Sequence, residues 1–356
     1  MKTYKILHIM HNEKFILSFI QFINNNLRLE EHQFLILGGA AQESYSIPNY
    51  KNVKILNVDL SNKKNYVNLE NELIPYFNKA NKIILHGLFQ KYYIDFLFKN
   101  SSFLNKCIWI MWGGDLYDYQ KRGLISRSFF TLYKKKSIIK KLGGFMGFIK
   151  GDYELVKKWH GTKGKYYESF VYPSNLYKEY EIKKKTELYV NIQLGNSADP
   201  TNNHIEILEQ LKKYKDENIK IFVPLSYGGQ KYKEKVMEKG KELFGDKFIA
   251  LVEFMHFDKY LEFLSNIDIA IFSPKRQQAM GNMITLLGLG KKVYIRNDIT
   301  PWQFFKDKDI KVFDISTIDL KLMEKKEASN NQQNIKNYFS EEKLKKQLKE
   351  IFKDES

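Results

Sequence analysis

The sequence contains almost no cysteine and no long apolar run. Cys107 is the only cysteine among 356 residues, which excludes an internal disulfide framework and a metal site built from several cysteines. No stretch reaches the roughly 18 apolar residues typical of a membrane-spanning helix, and the start of the sequence lacks the apolar core of a signal peptide. The seven histidines show no H-E-x-x-H or similar ligand spacing, so no metal site is predicted. These absences favour a soluble or peripheral protein of a reducing compartment.

Acidic residues are scarce relative to basic ones. Lys and Arg number 58 against 41 Asp and Glu, a formal net charge of +17. Such an excess favours anionic partners, namely nucleic acid, an anionic membrane surface or phosphorylated substrates, although a lysine-rich solvated surface explains it equally well. The sequence contains no helix-turn-helix, zinc-finger or aromatic RNA-binding pattern, so we expect no nucleic-acid partner.

Short apolar runs alternate with amphipathic segments along the chain. Runs such as "YKILHIM", "KIILHGLF" and "KCIWIMWGG" indicate buried strands, and a second series begins with "LYVNIQLGNS", after the charged stretch "YKEYEIKKKTE". Strands that alternate with helices of this length predict two doubly wound α/β domains facing each other. The predicted divisions are a first domain at 1–175, a linker at 176–187, a second domain at 188–335 and a C-terminal helix at 336–356 that packs back on the first domain.

The segment "SPKRQQAMGN", residues 273–282, predicts an anion-binding helix start. Ligands of open α/β sheets bind beyond the carboxyl ends of the strands, and a helix N-terminus offers unpaired N–H groups and partial positive charge. Arg276 adds a cation and Gly281 permits close approach of the backbone, which suits a diphosphate. A surface charge and a packing glycine explain the same two residues. Neither G-x-x-x-x-G-K-[ST] nor a strand-linked G-x-G-x-x-G occurs, which disfavours NTP hydrolysis and nicotinamide chemistry.

Other loops of the second half follow strands and carry small or polar residues. Those of "LGNSADPTNNH" suit phosphate or sugar hydroxyls, but they also suit a turn and a helix cap. Tyr227 and Glu253 lie in loops after strands, where they are placed to hold the nucleobase or the ribose of a nucleotide. The predicted nucleotide-binding set is Gly195, Asn196, Ser197, Tyr227, Glu253, Arg276, Gln277, Gln278, Gly281 and Asn282.

The first half carries candidate general bases at strand ends. Asp115 follows "CIWIMWGG" and is the first choice, with His86 and His11 as alternatives. The alternatives to a catalytic role are that Asp115 caps the helix near Leu116 and that the histidines are structural. Trp112 is expected to stack on a sugar face. The predicted acceptor-side residues are Asn12, Gly87, Trp112 and Tyr117.

Seven motifs occur in one order between Ile6 and about Phe305: "HGLF", "WGGDLY", "GNSADPTNNHI", "VPLSYG", "FDKYL", "RQQAMG" and "PWQFF". In this ordered set the chain resembles the 4-acetamido-4,6-dideoxygalactose (Fuc4NAc) transferases of enterobacterial common antigen synthesis, glycosyltransferase family 56. The resemblance implies a GT-B fold, with two Rossmann-like domains facing across a cleft. It also implies inverting transfer, without a metal or other cofactor, of a deoxy-amino sugar from a TDP-sugar donor.

The acceptor implied by the resemblance is an undecaprenyl-diphosphate-linked saccharide, used by a peripheral enzyme at the cytoplasmic face of the inner membrane. The second domain would bind the nucleotide and the first the acceptor. The alternatives are a transferase that uses a UDP- or GDP-sugar or another acceptor, a non-catalytic sugar-nucleotide or polyanion-binding protein, and a nucleic-acid binder.

Residues 126–144, "SRSFFTLYKKKSIIKKLGG", mix aromatic and basic side chains. At 100° per residue the apolar and basic positions do not separate into two faces, so an interfacial helix is not predicted. The segment predicts a salt-sensitive, charge-led association with anionic lipid. The residues concerned are Phe129, Phe130, Ile138, Ile139, Lys134, Lys135, Lys136, Lys140 and Lys141.

Overall fold

The chain divides into two α/β units, each built on one parallel sheet. The computed structural model describes residues 5–38, 47–56, 65–120, 126–179 and 189–353. One unit comprises Met1–Leu176 with Glu341–Ser356, and the other comprises Tyr177–Ser340. Two doubly wound α/β domains were predicted from the alternating pattern, and this fold class is confirmed.

The first unit holds a seven-stranded sheet. Its elements in chain order are β1 Ile6–His11, α1 Ile16–Asn26, β2 His32–Leu37, β3 Val53–Leu56, α2 Asn65–Lys79, β4 Lys82–His86, α3 Lys91–Lys99, β5 Cys107–Ile110, α4 Gly114–Tyr117, α5 Ser126–Lys141, β6 Gly144–Gly147, α6 Lys150–His160 and β7 Lys165–Glu168. The strand order is β3-β2-β1-β4-β5-β6-β7, with every neighbouring pair parallel. The central strands β1, β4 and β5 are buried almost throughout, as apolar runs covered on both faces are in parallel sheets.

The second unit repeats the same winding with six strands. Its elements are β8 Val190–Leu194, α7 His204–Leu211, β9 Ile219–Pro224, α8 Gln230–Phe244, β10 Phe248–Leu251, α9 Phe257–Ser265, β11 Ile269–Phe272, α10 Met280–Gly288, β12 Lys292–Ile295, α11 Thr300–Asp307, β13 Phe313–Asp314 and α12 Lys325–Tyr338. The strand order is β10-β9-β8-β11-β12-β13.

In both sheets the direction of winding reverses beside the first strand of the unit, between β1 and β4 and between β8 and β11. Ligands of such sheets bind at this reversal, beyond the carboxyl ends of the strands. The topology therefore places one candidate site on each unit, at the ends of these four strands.

The last helix, α13 Glu341–Lys353, belongs to the first unit. It buries Leu344, Leu348 and Ile351, and the ammonium of Lys82 donates to the Ile351 carbonyl at 2.6 Å. The predicted C-terminal helix began at 336, but residues 336–338 end α12 and the new helix starts only at Glu341. Of the predicted linker, 180–187 lie outside the described residues. No helix within the described ranges is long and apolar enough to cross a membrane.

Candidate functional site

In the second unit, the loops after β8 and β9 are joined at the carboxyl edge of the sheet. Ala198 and Gly228 form a parallel bridge, and the Ala198 amide donates to the Tyr227 carbonyl at 2.7 Å. The Asn196 side-chain amide donates to the Tyr227 hydroxyl at 3.1 Å. Two predicted nucleotide-binding residues, far apart in sequence, therefore form one polar rim.

The loop before α10 joins the same rim. The Gln278 side-chain amide donates to the Asn196 side-chain carbonyl oxygen at 3.4 Å, and the Thr201 hydroxyl oxygen lies 2.9 Å from the Gln278 side-chain carbonyl oxygen. The carboxylate of Asp199 holds Thr201 in turn, accepting from its amide at 2.8 Å and its hydroxyl at 2.6 Å. The structure thus brings Asn196, Tyr227 and Gln278 together around a preorganised turn.

Helix α10 begins without a side-chain cap. The residue before it, Ala279, has a left-handed backbone (φ 59°) and no polar side chain to accept from the first turn. The amides of Met280, Gly281 and Asn282 precede the first intrahelical bond, which runs from Met283 to Ala279. An uncapped start leaves these donors available to an anionic ligand, and anion binding at this helix start, expected from "SPKRQQAMGN", stays a prediction.

The guanidinium of Arg276 stands in the same loop. It is half-buried, and its only described bond donates to the neighbouring Gln277 carbonyl at 3.0 Å. No described carboxylate lies within ion-pair distance of it, so its charge is not neutralised by the described part of the chain. A fixed cation beside uncapped amides is the arrangement that binds a diphosphate.

Two buried polar atoms lie beneath this rim without a described partner. Gln193 near the end of β8 and Ser273 just after β11 are both fully buried, and the Gln193 Oε1 and Ser273 Oγ atoms lack hydrogen-bond partners. Because unpaired buried polar groups are rare and costly, a bound ligand or water is expected to pair with them.

Three other predicted residues of this unit have different surroundings. Gly195 has a φ of 67°, and a Cβ there would lie 2.3 Å from His204 Nε2, so the turn requires glycine. Ser197 is buried, and its hydroxyl accepts from the Asn202 amide at 3.2 Å, which gives it a structural role in the loop. Glu253 is exposed in the loop after β10, and no described hydrogen bond joins it to the rim.

In the first unit, four aromatic rings gather at the carboxyl edge of the sheet. Trp112 is half-buried, and its ring centroid lies 4.9 Å from Phe15, 5.6 Å from Phe89 and 5.7 Å from Tyr172. Phe89 is itself 43% exposed. A partly exposed aromatic surface of this kind suits the apolar face of a sugar or a lipid chain.

Asp115 lies beneath this surface and is fully buried. Its carboxylate accepts from the Leu88 amide at 2.9 Å, the Trp112 amide at 2.9 Å and the Trp109 indole at 2.7 Å. Burial raises the pKa of the Asp115 carboxyl, and the Lys135 ammonium and the three donors oppose that rise. The carboxylate therefore ties the loops after β4 and β5 together, and the geometry favours this positioning role over the predicted role of general base.

His86 is equally enclosed. Its Nδ1 lies 2.8 Å from the Tyr172 hydroxyl and its Nε2 lies 3.1 Å from His8 Nδ1. Burial lowers the pKa of His86 to about 3. Both ring nitrogens are engaged inside the unit, so the structure disfavours His86 as a base that meets an acceptor hydroxyl.

His11 is the predicted base that remains accessible. It is half-buried at the end of β1, and its Nδ1 lies 3.0 Å from the Leu37 carbonyl. Since a carbonyl only accepts, Nδ1 carries the hydrogen and Nε2 keeps a lone pair. Burial lowers the pKa of His11, so the imidazole is neutral at pH 7. The Tyr92 hydroxyl lies 3.4 Å from Nε2.

The other residues predicted to contact the acceptor lie in different environments. Tyr117 was predicted to contact substrate, but it is buried, its hydroxyl donates to Asp152 at 3.2 Å and its ring packs on Trp159. The structure gives Tyr117 a packing role instead, because α4 turns it toward α6. Gly87 has a φ of 89° and no room for a Cβ against the Phe89 ring. Asn12 is half-buried beside His11.

Sequence patterns missed Thr201, Tyr172 and Tyr92. Thr201 stands in "LGNSADPTNNH", which was interpreted as a phosphate or sugar site or as a turn and helix cap, but Thr201 itself was not singled out. Tyr172 and Tyr92 carry no local signal, because their partners lie 86 and 81 residues away in sequence. Within the described ranges no cluster of three or more His, Cys, Asp or Glu residues has metal-binding geometry.

Solved structures share this architecture along nearly the whole chain. Sucrose-phosphate synthase from Thermosynechococcus elongatus aligns with a TM-score of 0.73 at 8% identity, covering 98% of each chain. A glycosyltransferase from Rickettsia africae gives 0.66 at 16% identity, covering 100% of this chain and 99% of that one. WaaG, a glycosyltransferase involved in lipopolysaccharide biosynthesis, gives 0.62 at 12% identity, covering 98% and 99%. At these identities the likeness concerns the fold.

Two Rossmann-like units of this topology define the GT-B class of glycosyltransferases, which confirms the predicted fold. The family model described as "4-alpha-L-fucosyltransferase glycosyl transferase group 56" matches residues 4–348, and the chain belongs to this family. The protein is therefore a glycosyltransferase that uses a nucleotide-sugar donor and a sugar acceptor.

Proposed function

We propose that the protein transfers a deoxy-amino sugar of the Fuc4NAc type, with inversion, from a TDP-sugar to a lipid-diphosphate-linked saccharide. The observation that carries the donor side is the uncapped start of α10 beside Arg276. The family description names a fucosyl group, and Fuc4NAc is an amino derivative of the same 6-deoxyhexose type. The seven ordered motifs support the choice of a TDP-sugar as donor and of a lipid-diphosphate-linked saccharide as acceptor.

The chemistry is displacement at the anomeric carbon of the donor sugar. As that bond breaks, negative charge grows on the leaving diphosphate. Arg276 and the amides of Gly281 and Asn282 are placed to stabilise this charge without reorganising, which is the electrostatic effect that most lowers such barriers. Asn196, Tyr227 and Gln278 supply hydrogen bonds for the nucleotide.

On the acceptor side we assign the base role to His11. A neutral imidazole with its Nδ1–H held by the Leu37 carbonyl presents Nε2 as a proton acceptor of fixed orientation. Trp112 and Phe89 offer a surface for the saccharide, and Asp115 fixes the backbone that carries Trp112. The first choice made from sequence, Asp115, thereby becomes a positioning residue.

The donor assignment is tested by ligand-induced stabilisation. A ligand that binds only the folded state raises the apparent stability by RT ln(1 + [L]/Kd), so a 100-fold excess over Kd adds about 2.7 kcal/mol. We expect TDP-sugars to raise the thermal midpoint more than UDP- or GDP-sugars at equal concentration. A larger shift with UDP- or GDP-sugars would reassign the donor, and no shift with any of the three would overturn the proposed donor site around Arg276.

Arg276→Ala is expected to weaken TDP binding by about 1.5–3 kcal/mol, the range for a hydrogen bond to a charged group. Arg276→Lys should recover only part of this loss, because an ammonium lacks the planar fork of donors. Calorimetry with TDP measures the effect, with Lys306→Ala on an exposed surface of the same unit as the matched control. Equal affinities of the Arg276→Ala variant and the control would exclude Arg276 from the site.

Catalysis is proposed to need no metal or other cofactor, since the leaving diphosphate is stabilised by protein charge. We therefore expect full turnover after exhaustive treatment with EDTA. Loss of activity on chelation, with recovery on adding magnesium or manganese, would show that an ion supplies the charge assigned above to Arg276 and α10.

Association with the anionic cytoplasmic face of the inner membrane is also proposed, through exposed lysines of α5. Fewer of the residues predicted to meet the lipid are available in the structure, because Lys134 pairs with Asp95 at 2.6 Å and Lys135 is buried. Ile138 and Ile139 are core residues, and the Phe129 side chain lies outside the described part of the chain. Exposed positions are Phe130, Lys136, Lys140 and Lys141. Vesicle flotation that persists in high salt would contradict a charge-led association.

A further inference from the structure

A large cavity lies at the opposite edge of the first-unit sheet from Trp112 and His11. Its volume is about 820 Å³, and it is lined by residues at the amino ends of the strands, including Ile6 of β1 and His32 of β2, and by Phe352 of α13. Volumes of this order are typical of small-molecule sites. Nothing in the proposed transfer reaction uses this edge.

The cavity lining is strongly basic. Six cationic side chains line it against the single carboxylate of Glu31: Lys5, Arg28, Lys82, Lys106, Lys349 and Lys353. Glu31 is shared, at 3.4 Å from Lys5 and 3.5 Å from Arg28, so it neutralises at most one of the six charges. Positive charge concentrated on the walls of one concave site attracts anions more strongly than the same charge spread over a surface.

The cations are held in two different ways. Lys82 donates to the Ile351 carbonyl at 2.6 Å, and Lys106 donates to the Phe77 and Ala80 carbonyls at 2.6 and 2.8 Å. These bonds to carbonyl oxygens fix both ammonium groups at the base of the cavity. Lys349 and Lys353 are exposed on α13, at its rim, without a described ion pair or hydrogen bond.

His32 adds a buried polar group whose donor character follows from a chain of hydrogen bonds. The chain runs from the Trp112 indole to the Tyr172 hydroxyl at 3.0 Å, to His86 at 2.8 Å, to His8 at 3.1 Å and to His32 Nδ1 at 3.0 Å. The indole N–H can only donate. If Tyr172 then donates to His86, every bond in the chain has one hydrogen. The reverse direction leaves the Tyr172 hydroxyl hydrogen unpaired in a buried site, which costs about 1–3 kcal/mol.

The favoured direction makes each of the three histidines an Nε2–H tautomer. Each Nδ1 accepts and each Nε2 donates to the next ring. His32 is the last, so its Nε2–H is left for the cavity that it lines. Although only 3% of His32 is exposed, the cavity thus gains a hydrogen-bond donor, matched to the surrounding cations.

We propose that this cavity is a second anion site, which binds a phosphorylated ligand carrying two or more negative charges through Lys349, Lys353, the fixed ammonium groups and the His32 N–H. The ligand is either a free phosphorylated molecule or the headgroup of an anionic lipid, since both present the same phosphate chemistry. This site is separate from the nucleotide site around Arg276, which lies on the other unit.

Calorimetry with inorganic pyrophosphate tests whether the cavity binds a free phosphorylated molecule. We expect binding that weakens with salt, and a loss of about fivefold or more in affinity in the pair Lys349→Gln with Lys353→Gln. The matched control is Lys325→Gln with Lys326→Gln, two exposed lysines of α12, which removes the same charge and should leave affinity unchanged. Arg276→Ala should weaken TDP binding and leave pyrophosphate binding at this cavity unchanged. The Lys349→Gln, Lys353→Gln variant should weaken pyrophosphate binding at this cavity and leave TDP binding unchanged.

Flotation with phosphatidylglycerol vesicles, against phosphatidylcholine vesicles, tests the headgroup arm with the same variants. Vesicle capture that depends on Lys349 and Lys353 and is displaced by pyrophosphate identifies the lipid as the source, and pyrophosphate binding without capture identifies a free ligand. The proposal is overturned if the α13 pair changes neither measurement relative to the α12 control.

The donor role of His32 has its own measurement. Long-range ¹H–¹⁵N spectra at neutral pH should show His8, His32 and His86 as Nε2–H tautomers, and His32→Phe should weaken pyrophosphate binding by about tenfold. An Nδ1–H tautomer at His32 would point a lone pair at the cavity and overturn its role. If His32→Phe fails to fold, the variant with Lys349→Gln and Lys353→Gln still tests the site, because both lysines are exposed.

Discussion

Replacing His11 by asparagine is expected to lower turnover by about 10²–10⁴-fold, the usual contribution of a positioned base, while TDP affinity is retained. Asparagine keeps an N–H near the position of Nδ1, so the bond to the Leu37 carbonyl and the fold around β1 should survive. What is lost is the Nε2 lone pair. Steady-state kinetics and calorimetry on the same variant separate the two quantities, and His256→Asn, at an exposed imidazole of the second unit, is the control.

The pH profile gives an independent check on the same assignment. Burial lowers the pKa of His11, so the neutral form required of a base persists below pH 6.5. We expect kcat/KM to remain level on acidification through pH 6.5 and to fall only once the pH drops below the lowered pKa. If His11→Asn stays active while Asp115→Asn is stable and inactive, the base is Asp115.

Replacing Asp115 by alanine is expected to destabilise the first unit by about 3–5 kcal/mol. The substitution leaves the Leu88 amide, the Trp112 amide and the Trp109 indole buried without an acceptor, at about 1–3 kcal/mol each with incomplete additivity. Asp115→Asn keeps an acceptor oxygen but turns one side of the group into a donor, so an intermediate loss is expected.

Urea unfolding followed by tryptophan fluorescence measures this effect in the right unit, because three of the four tryptophans, Trp109, Trp112 and Trp159, belong to the first unit. Glu154→Ala is the control, since Glu154 is an exposed residue of α6 in the same unit and its pair with Lys157 at 3.4 Å joins two exposed side chains, a contact that contributes little to stability. A loss below about 1 kcal/mol in Asp115→Ala would show that the three bonds are replaced by water, and would return Asp115 to the list of accessible bases.

The comparison of Asp115 with His11 shows where sequence reasoning about the site was limited. Both residues follow strand-like runs, and both were correctly placed at the carboxyl edge of a parallel sheet. Their ranking depended on exposure, which local pattern does not encode. Asp115 is enclosed because the indole of Trp109 and the amide of Leu88 close over it, and those contacts exist only once β4 and β5 pair.

In the second unit, more of the candidate site could be predicted from the sequence. The uncapped helix start at Met280 follows from "RQQAMGN", since this segment contains no Ser, Thr or Asp at the capping position. The contact between Asn196 and Gln278 does not follow from either segment, because the two residues are 82 apart in sequence. It arises because β8 and β11 are neighbours in the sheet, so the loops that follow them meet.

By itself, the sequence determined that the chain forms two parallel-sheet units, which edge of each sheet carries the polar loops, and which helix start is the candidate anion site. These properties depend on the period of apolar residues and on residue types at strand and helix ends, which are local. The tertiary structure alone decided that Asp115 and His86 are buried while His11 is accessible, and that three histidines from three strands form one chain to a basic cavity. Those outcomes depend on contacts between segments distant in sequence, and the free energy of burying a polar group is set by partners that only the folded chain brings together.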